Sequence, residues 1–124
     1  MIVHICFGFL ALIHLLPAVA ALAPKQISKL YGVNADDRTL ITLLQHRAVL
    51  LGAVGAAFAA GAVMPHGPAA LFAVLLGGVS MVTFLAIAAL QHQLSGPLRR
   101  IVIVDLAGLV PLGYLLWQQP WTQI

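Results

Sequence analysis

Four long apolar segments constrain this chain more than any other feature. They cover residues 2–22, 39–64, 69–90 and 101–117, and a membrane-spanning helix needs about 20 consecutive, mostly apolar residues. Only 7% of the 124 residues are charged, whereas soluble proteins average roughly 25%. We therefore expect one all-α transmembrane domain over residues 1–124, an integral membrane four-helix bundle.

The first segment also has to be compared with a secretory signal peptide. Residues 18–23, AVAALA, resemble a small-residue cleavage site. A signal peptide normally opens with a positively charged region, but no lysine or arginine precedes Lys25. We therefore expect the first segment to remain as a permanent span.

The charged side chains outside the spans lie at one end of the predicted bundle. The first and third connections carry Lys25, Lys29, Asp36, Asp37, Arg38, Arg99 and Arg100. The second connection, PHGP at residues 65–68, and the tail after residue 117 carry no charged side chain. Short loops rich in lysine and arginine are retained in the cytoplasm. The pattern therefore predicts an N-out/C-out protein.

Residues 24–38 are predicted to form a cytoplasmic interfacial segment. Ile27, Leu30 and Tyr31 share one face at helical spacing, as in a short amphipathic helix that lies along a membrane surface. At the end of this segment, Asn34 or Asp36 is placed to cap the second span.

Polar side chains gather in the half of the predicted bundle that lies toward the cytoplasm. His14 lies roughly 12 Å inside that end of the first span, at a rise of about 1.5 Å per residue. His46 and Arg47 in the second span and Asp105 in the fourth reach similar depths, and His92 ends the third span. A charge at the bilayer centre costs ~2.5–3.5 kcal/mol and usually finds a partner. We therefore expect an Arg47–Asp105 ion pair or a short water bridge, with snorkelling of Arg47 to the headgroups as the alternative.

A proline adds to this polar layer. Pro17, which lies one turn after His14, leaves the carbonyl of Ile13 without its helical hydrogen-bond donor. Free carbonyls beside ionisable side chains favour a polar pocket. The predicted ligand-binding residues of this pocket are His14, His46, Arg47, His92 and Asp105. Arg47 is expected to hold an anionic headgroup. For His14 alone, a buried histidine with its hydrogen bonds satisfied is the competing interpretation.

Small residues form another pattern in the second and third spans. They are Gly52, Gly55, Ala59, Gly77, Gly78, Ser80 and Thr83. Such residues let membrane helices approach closely. We expect them to pack inside the bundle, with a homo-oligomer interface as the alternative.

Several short motifs resemble those of a known family. HLLP at residues 14–17, LYGV at 30–33, LLQHRAVLLG at 43–52 and the aspartate of the fourth span are the matching features. On these the chain resembles small bacterial four-helix integral membrane proteins, loosely DoxX-like, over nearly its whole length. Members are often labelled phosphopantetheine adenylyltransferase. The resemblance implies a location in the bacterial inner (cytoplasmic) membrane, but no established activity and no catalytic residues.

The adenylyltransferase label is not supported by the sequence. Phosphopantetheine adenylyltransferases resemble soluble α/β nucleotide-binding proteins with an HxGH-type motif, and this chain contains neither that motif nor a GxxxxGK[ST] loop. A net charge of +3, spread along the chain, is also too small for a nucleic-acid surface.

The function predicted from these features is a non-enzymatic binding or interaction module. Membrane lipids, a small amphipathic ligand or a second copy of the chain are the expected partners. A small proton-coupled transporter is one alternative, although the chain lacks any glutamate, which small multidrug transporters carry in their first helix. A b-type haem protein with His14 and His46 as iron ligands is another.

Chemistry that needs a metal or a nucleophile has little basis in the sequence. The histidines, the one cysteine and the acids have no recognised metal-ligand spacing, so no metal site and no catalytic residues are predicted. An acid–base pair of His14 or His46 with Asp105 leaves a membrane enzyme open.

Overall fold

The structure, a computed structural model, describes residues 1–20 and 22–123, which are mostly helical. The helices are α1 Ile2–Ala20, α2 Pro24–Tyr31, α3 Arg38–Val63, α4 Pro68–Leu90 and α5 Arg99–Gln118, followed by a 3₁₀ turn, Pro120–Thr122. The long helices α1, α3, α4 and α5 are each long and apolar enough to cross a membrane. The prediction of an all-α protein with four candidate spans is therefore confirmed.

The predicted ends of the spans agree closely with the helices. They differ by at most two residues, the largest differences being at the end of α1 and the start of α5. Residue 21, which the prediction placed in the first span, lies outside the described residues. The agreement is close because hydropathy changes sharply at the loops.

The predicted cap of α3 is wrong. Asp37 occupies the N-cap position, and its Oδ1 accepts a hydrogen bond from the backbone N–H of Leu40 at 3.0 Å. Asn34 instead accepts from the backbone N–H of Asp36 at 2.9 Å, in a turn before the helix. The cap is the residue directly before the first helical position, and α3 begins at Arg38.

The amphipathic helix α2 packs against the long helices. Ile27 and Tyr31 are buried, and they form a small core with Ile41 and Ala48 of α3. The apolar face recognised in the sequence is therefore covered by protein. Gly32 ends α2 in the left-handed conformation, with φ of 63°, and this is a position where glycine is favoured because it has no Cβ.

The long helices contact one another in the cyclic order α1, α3, α4, α5 and back to α1. Their shared core contains the fully buried side chains of Phe7, Leu10, Phe58, Val74 and Leu115. Many large apolar side chains on the outer faces are exposed, as expected of a surface that contacts lipid.

Glycines allow the closest helix contacts. A Cβ on Gly55 would lie 2.7 Å from Cγ of Leu15, and a Cβ on Gly52 would lie 2.8 Å from Cβ of Ala18. These two glycines of α3 therefore pack against α1, as predicted. A homo-oligomer through other small residues stays a prediction.

Candidate ligand-binding cavity

A cavity of about 530 Å³ lies where α1, α2, α3 and α5 meet, with Ser80 contributed by α4. Its polar lining consists of His14, Gln26, Lys29, Tyr31, Arg47, Ser80, Arg100 and Asp105. Its apolar lining consists of Ile13, Leu16, Pro17, Leu30, Leu51, Ile101 and Val104. The volume is within the range of about 300–1,000 Å³ that is usual for small-molecule sites.

His14 forms part of the cavity wall from α1. Its side chain is only 3% exposed, and Nδ1 donates a hydrogen bond to the carbonyl oxygen of Leu10 at 2.8 Å. Its ring lies 5.2 Å, between centroids, from the ring of Phe58. Since Nδ1 is the donor, the hydrogen bond fixes the tautomer of a neutral ring. The histidine is thus buried and hydrogen-bonded at one nitrogen, as the competing interpretation expected, and it also faces the cavity.

Arg47 is held by aromatic side chains. Its Nη1 donates a hydrogen bond to the hydroxyl oxygen of Tyr31 at 2.5 Å. The guanidinium carbon lies 5.5 Å from the centroid of the Tyr31 ring and 5.0 Å from that of Phe84. Contacts of this kind between a cation and the face of a ring stabilise a partly desolvated guanidinium. They explain how the second span accepts an arginine.

Tyr31 and Phe84 were not predicted as partners of Arg47. Tyr31 lies 16 residues earlier in the chain, and it was assigned to a face directed at the membrane surface. The amphipathic pattern of α2 could have indicated the contact of Tyr31, because a tyrosine on a buried apolar face needs a hydrogen-bond partner for its hydroxyl. Phe84 gave no comparable signal among the other apolar residues of its span.

Asp105 reaches the same cavity from α5 and is half-buried. Arg47 lines this cavity as well. The predicted Arg47–Asp105 pair, direct or through a water, stays a prediction.

The other two predicted site residues lie elsewhere. His46 and His92 are exposed, and neither belongs to the cavity lining. His46 directly precedes Arg47, so its side chain points about 100° away around the helix. His92 follows the end of α4. The cavity therefore brings together His14, Arg47 and Asp105, and gives no support to His14 and His46 as a pair of haem ligands.

The cavity also contains cations whose only predicted role was to set the orientation in the membrane. Lys29 of α2 and Arg100 of α5 line it together with Arg47. Asp105 is the only acid in this lining, so positive charges outnumber negative ones. Such an arrangement favours an anionic group. Within the described residues, no three His, Cys, Asp or Glu side chains form a group that could hold a metal ion.

Comparisons with known proteins identify no relative. No family model matches the chain, and no curated protein or solved structure is significantly similar to it. The resemblance to DoxX-like proteins therefore stays a prediction. What the protein does has to follow from the chemistry of its own cavity.

Proposed function

We propose that the protein is a multi-pass protein of the bacterial inner membrane that binds an amphipathic, lipid-like ligand without catalysing a reaction. One observation carries this proposal: the cavity is lined both by apolar side chains and by the charged side chains of Lys29, Arg47, Arg100 and Asp105. An amphipathic molecule likewise combines apolar and charged parts. The volume of about 530 Å³ is also suitable for a small ligand.

Arg47 is the side chain best placed to orient such a ligand. The hydrogen bond to Tyr31 and the two ring contacts fix its position. A guanidinium has several N–H donors in one plane, so donors remain for a ligand after the bond to Tyr31. A side chain that is already ordered loses little entropy when a ligand binds.

A proton-coupled transporter is the second candidate. Its supporting observation is that His14 and Asp105, two titratable side chains from α1 and α5, line the same cavity as the cations. Transport differs from binding because it moves ligand across the membrane. Uptake into proteoliposomes with an imposed pH gradient distinguishes the two functions.

The binding proposal predicts that Arg47→Ala removes a co-purifying ligand. We expect native mass spectrometry of the wild-type protein, released from mild detergent, to show a bound amphipathic molecule. The occupancy of this molecule should fall about tenfold or more in the variant, since a hydrogen bond to a charged group contributes about 1.5–3 kcal/mol. Arg38→Ala is the control, because Arg38 is exposed and lies outside the cavity lining.

A second pair of variants keeps the proposal testable if Arg47→Ala misfolds. Arg47→Ala also removes the hydrogen bond to Tyr31. Arg100→Ala is therefore compared with Arg99→Ala, because the two arginines are adjacent and only Arg100 lines the cavity. Helical circular dichroism and elution volume should match the wild type. Unchanged occupancy in both cavity variants, or no bound molecule in the wild type, contradicts the proposal.

The proposed orientation predicts the behaviour of reporters at the C-terminus. In a bacterial host, alkaline phosphatase fused after residue 124 should be active and a green fluorescent protein there should be dark, because the basic loops are retained in the cytoplasm. A reporter inserted in the loop after α2, at residues 33–36, should show the opposite pair of signals. A fluorescent C-terminal fusion refutes the N-out/C-out orientation.

A further inference from the structure

We infer that the ligand is a single-chain anionic amphipath that enters the cavity sideways from the bilayer, between α1 and α5. This inference rests on the proposed binding function and gives it a ligand class and a route. The mouth of the cavity, called here the α1–α5 seam, is defined by Leu16 and Val104.

The position of the seam supports entry from the bilayer. Leu16 and Val104 both line the cavity, yet they are 60% and 40% exposed. A side chain that lines the cavity and is also exposed on the outer surface lies at the mouth of the cavity. α1 and α5 are in contact and are both candidate membrane spans. Each residue lies roughly 6–8 Å inside the charged end of its helix, at about 1.5 Å per residue, and the mouth therefore faces lipid.

The charges of the cavity select the headgroup. Lys29 and Arg100 are exposed, and Arg47 is half-buried, so a headgroup among them can keep contact with water while it donates or accepts hydrogen bonds deeper inside. With Asp105 as the single acid of the lining, an anionic head is attracted. The cationic part of a zwitterionic head is repelled by these three cations and attracted by Asp105 alone, so such a head binds less tightly.

The volume limits the tail. A cavity of about 530 Å³ holds roughly 18 water-sized groups at ~30 Å³ each. This is enough to enclose a compact headgroup and one chain of about a dozen carbons, whereas two long acyl chains would extend through the seam into the bilayer. Isolated phosphate satisfies the cations but leaves the apolar wall without a partner. The structure thus points to a lipid with one chain as the source of the anion.

Three probes test the ligand class in nanodiscs of phosphatidylcholine. They are dodecyl phosphate, dodecylphosphocholine, which has the same chain and a zwitterionic head, and inorganic phosphate. We expect wild-type protein to bind dodecyl phosphate at least tenfold more tightly than either of the others. Inorganic phosphate lacks the chain that contacts the apolar lining, and dodecylphosphocholine brings a cation among the cations of the cavity.

Tryptophan substitutions test the route. Leu16→Trp and Val104→Trp, combined, should block the seam and weaken or slow dodecyl phosphate binding about tenfold, a change typical of a blocked apolar contact. The control is Leu12→Trp combined with Ile103→Trp, because these side chains are exposed on the same helices and lie outside the cavity lining. Circular dichroism and elution volume verify folding of both.

Each alternative outcome has a separate meaning. Equal binding of inorganic phosphate, with no effect of the seam variant, indicates an anion site reached from water and overturns the inference. Equal binding of dodecylphosphocholine overturns the anionic class but leaves amphipath binding intact. Equal effects of the seam and control tryptophans refute the lateral route. Failure of both amphipaths to bind refutes the inference and contradicts the proposed function as well.

Discussion

Replacing Gly77 by alanine is expected to destabilise the fold by about 2 kcal/mol relative to the same change at Gly78, because overpacking a core typically costs 1–3 kcal/mol. A Cβ on Gly77 would overlap the ring of Phe58, whereas a Cβ on Gly78 would lie 3.4 Å from a terminal methyl of Leu112. The Phe58 ring is fully buried and packs against the rings of Phe7 and His14, so it has little room to retreat.

The comparison with Gly78→Ala separates the steric clash at position 77 from the general effect of adding a methyl group to the helix. Both positions lie in α4, so both substitutions change the intrinsic helix propensity by the same amount. The measurement is the free energy of unfolding of each variant in detergent micelles, followed by circular dichroism. Equal stabilities of the two variants contradict the close packing of the Phe58 ring of α3 against Gly77 of α4.

Replacing Phe58 by alanine is expected to cost about 3–5 kcal/mol, the usual range for a fully buried phenylalanine. The ring connects three helices, since it lies on α3, contacts Phe7 and His14 of α1, and faces Gly77 of α4. Its removal leaves a void behind His14, and the free energy of unfolding in micelles should fall accordingly.

The two substitutions should also be strongly non-additive. In the Phe58→Ala background the ring atoms that crowd position 77 are gone, so Gly77→Ala should lose its penalty and partly fill the void. Residues in contact show coupling energies of about 0.5–3 kcal/mol in double-mutant cycles. If the double variant is destabilised by the sum of the two single effects, without such a coupling, the contact between Phe58 and Gly77 is absent in solution.

Much of the fold could be predicted because it depends on local properties of the chain. In a bilayer every backbone N–H and C=O must be satisfied within the segment, so a long apolar stretch has to be helical. The spans and the amphipathic helix α2 follow from this rule and from spacing. The cap at Asp37 was missed because the choice among Asn34, Asp36 and Asp37 depends on where the loop turns, which spacing alone does not determine.

Part of the cavity lining could be predicted from the sequence. His14, Arg47 and Asp105 line it together, and their similar positions along the helices can be counted from the helix ends. His46, which was grouped with them, lies outside the lining. The helices are apolar on all sides, since lipid is as apolar as a protein interior, and hydropathy therefore could not show which of His46 and Arg47 faces inward.

The sequence by itself thus determined the helical class, the four candidate spans and the position of each polar residue along its helix, all of which depend on the order of residues along one helix. Only the tertiary structure decided which faces meet. It placed Tyr31 and Phe84 around Arg47, brought Lys29 and Arg100 to the cavity, and left His46 and His92 outside. These outcomes depend on the rotation of each helix about its axis, which side-chain packing sets and hydropathy does not.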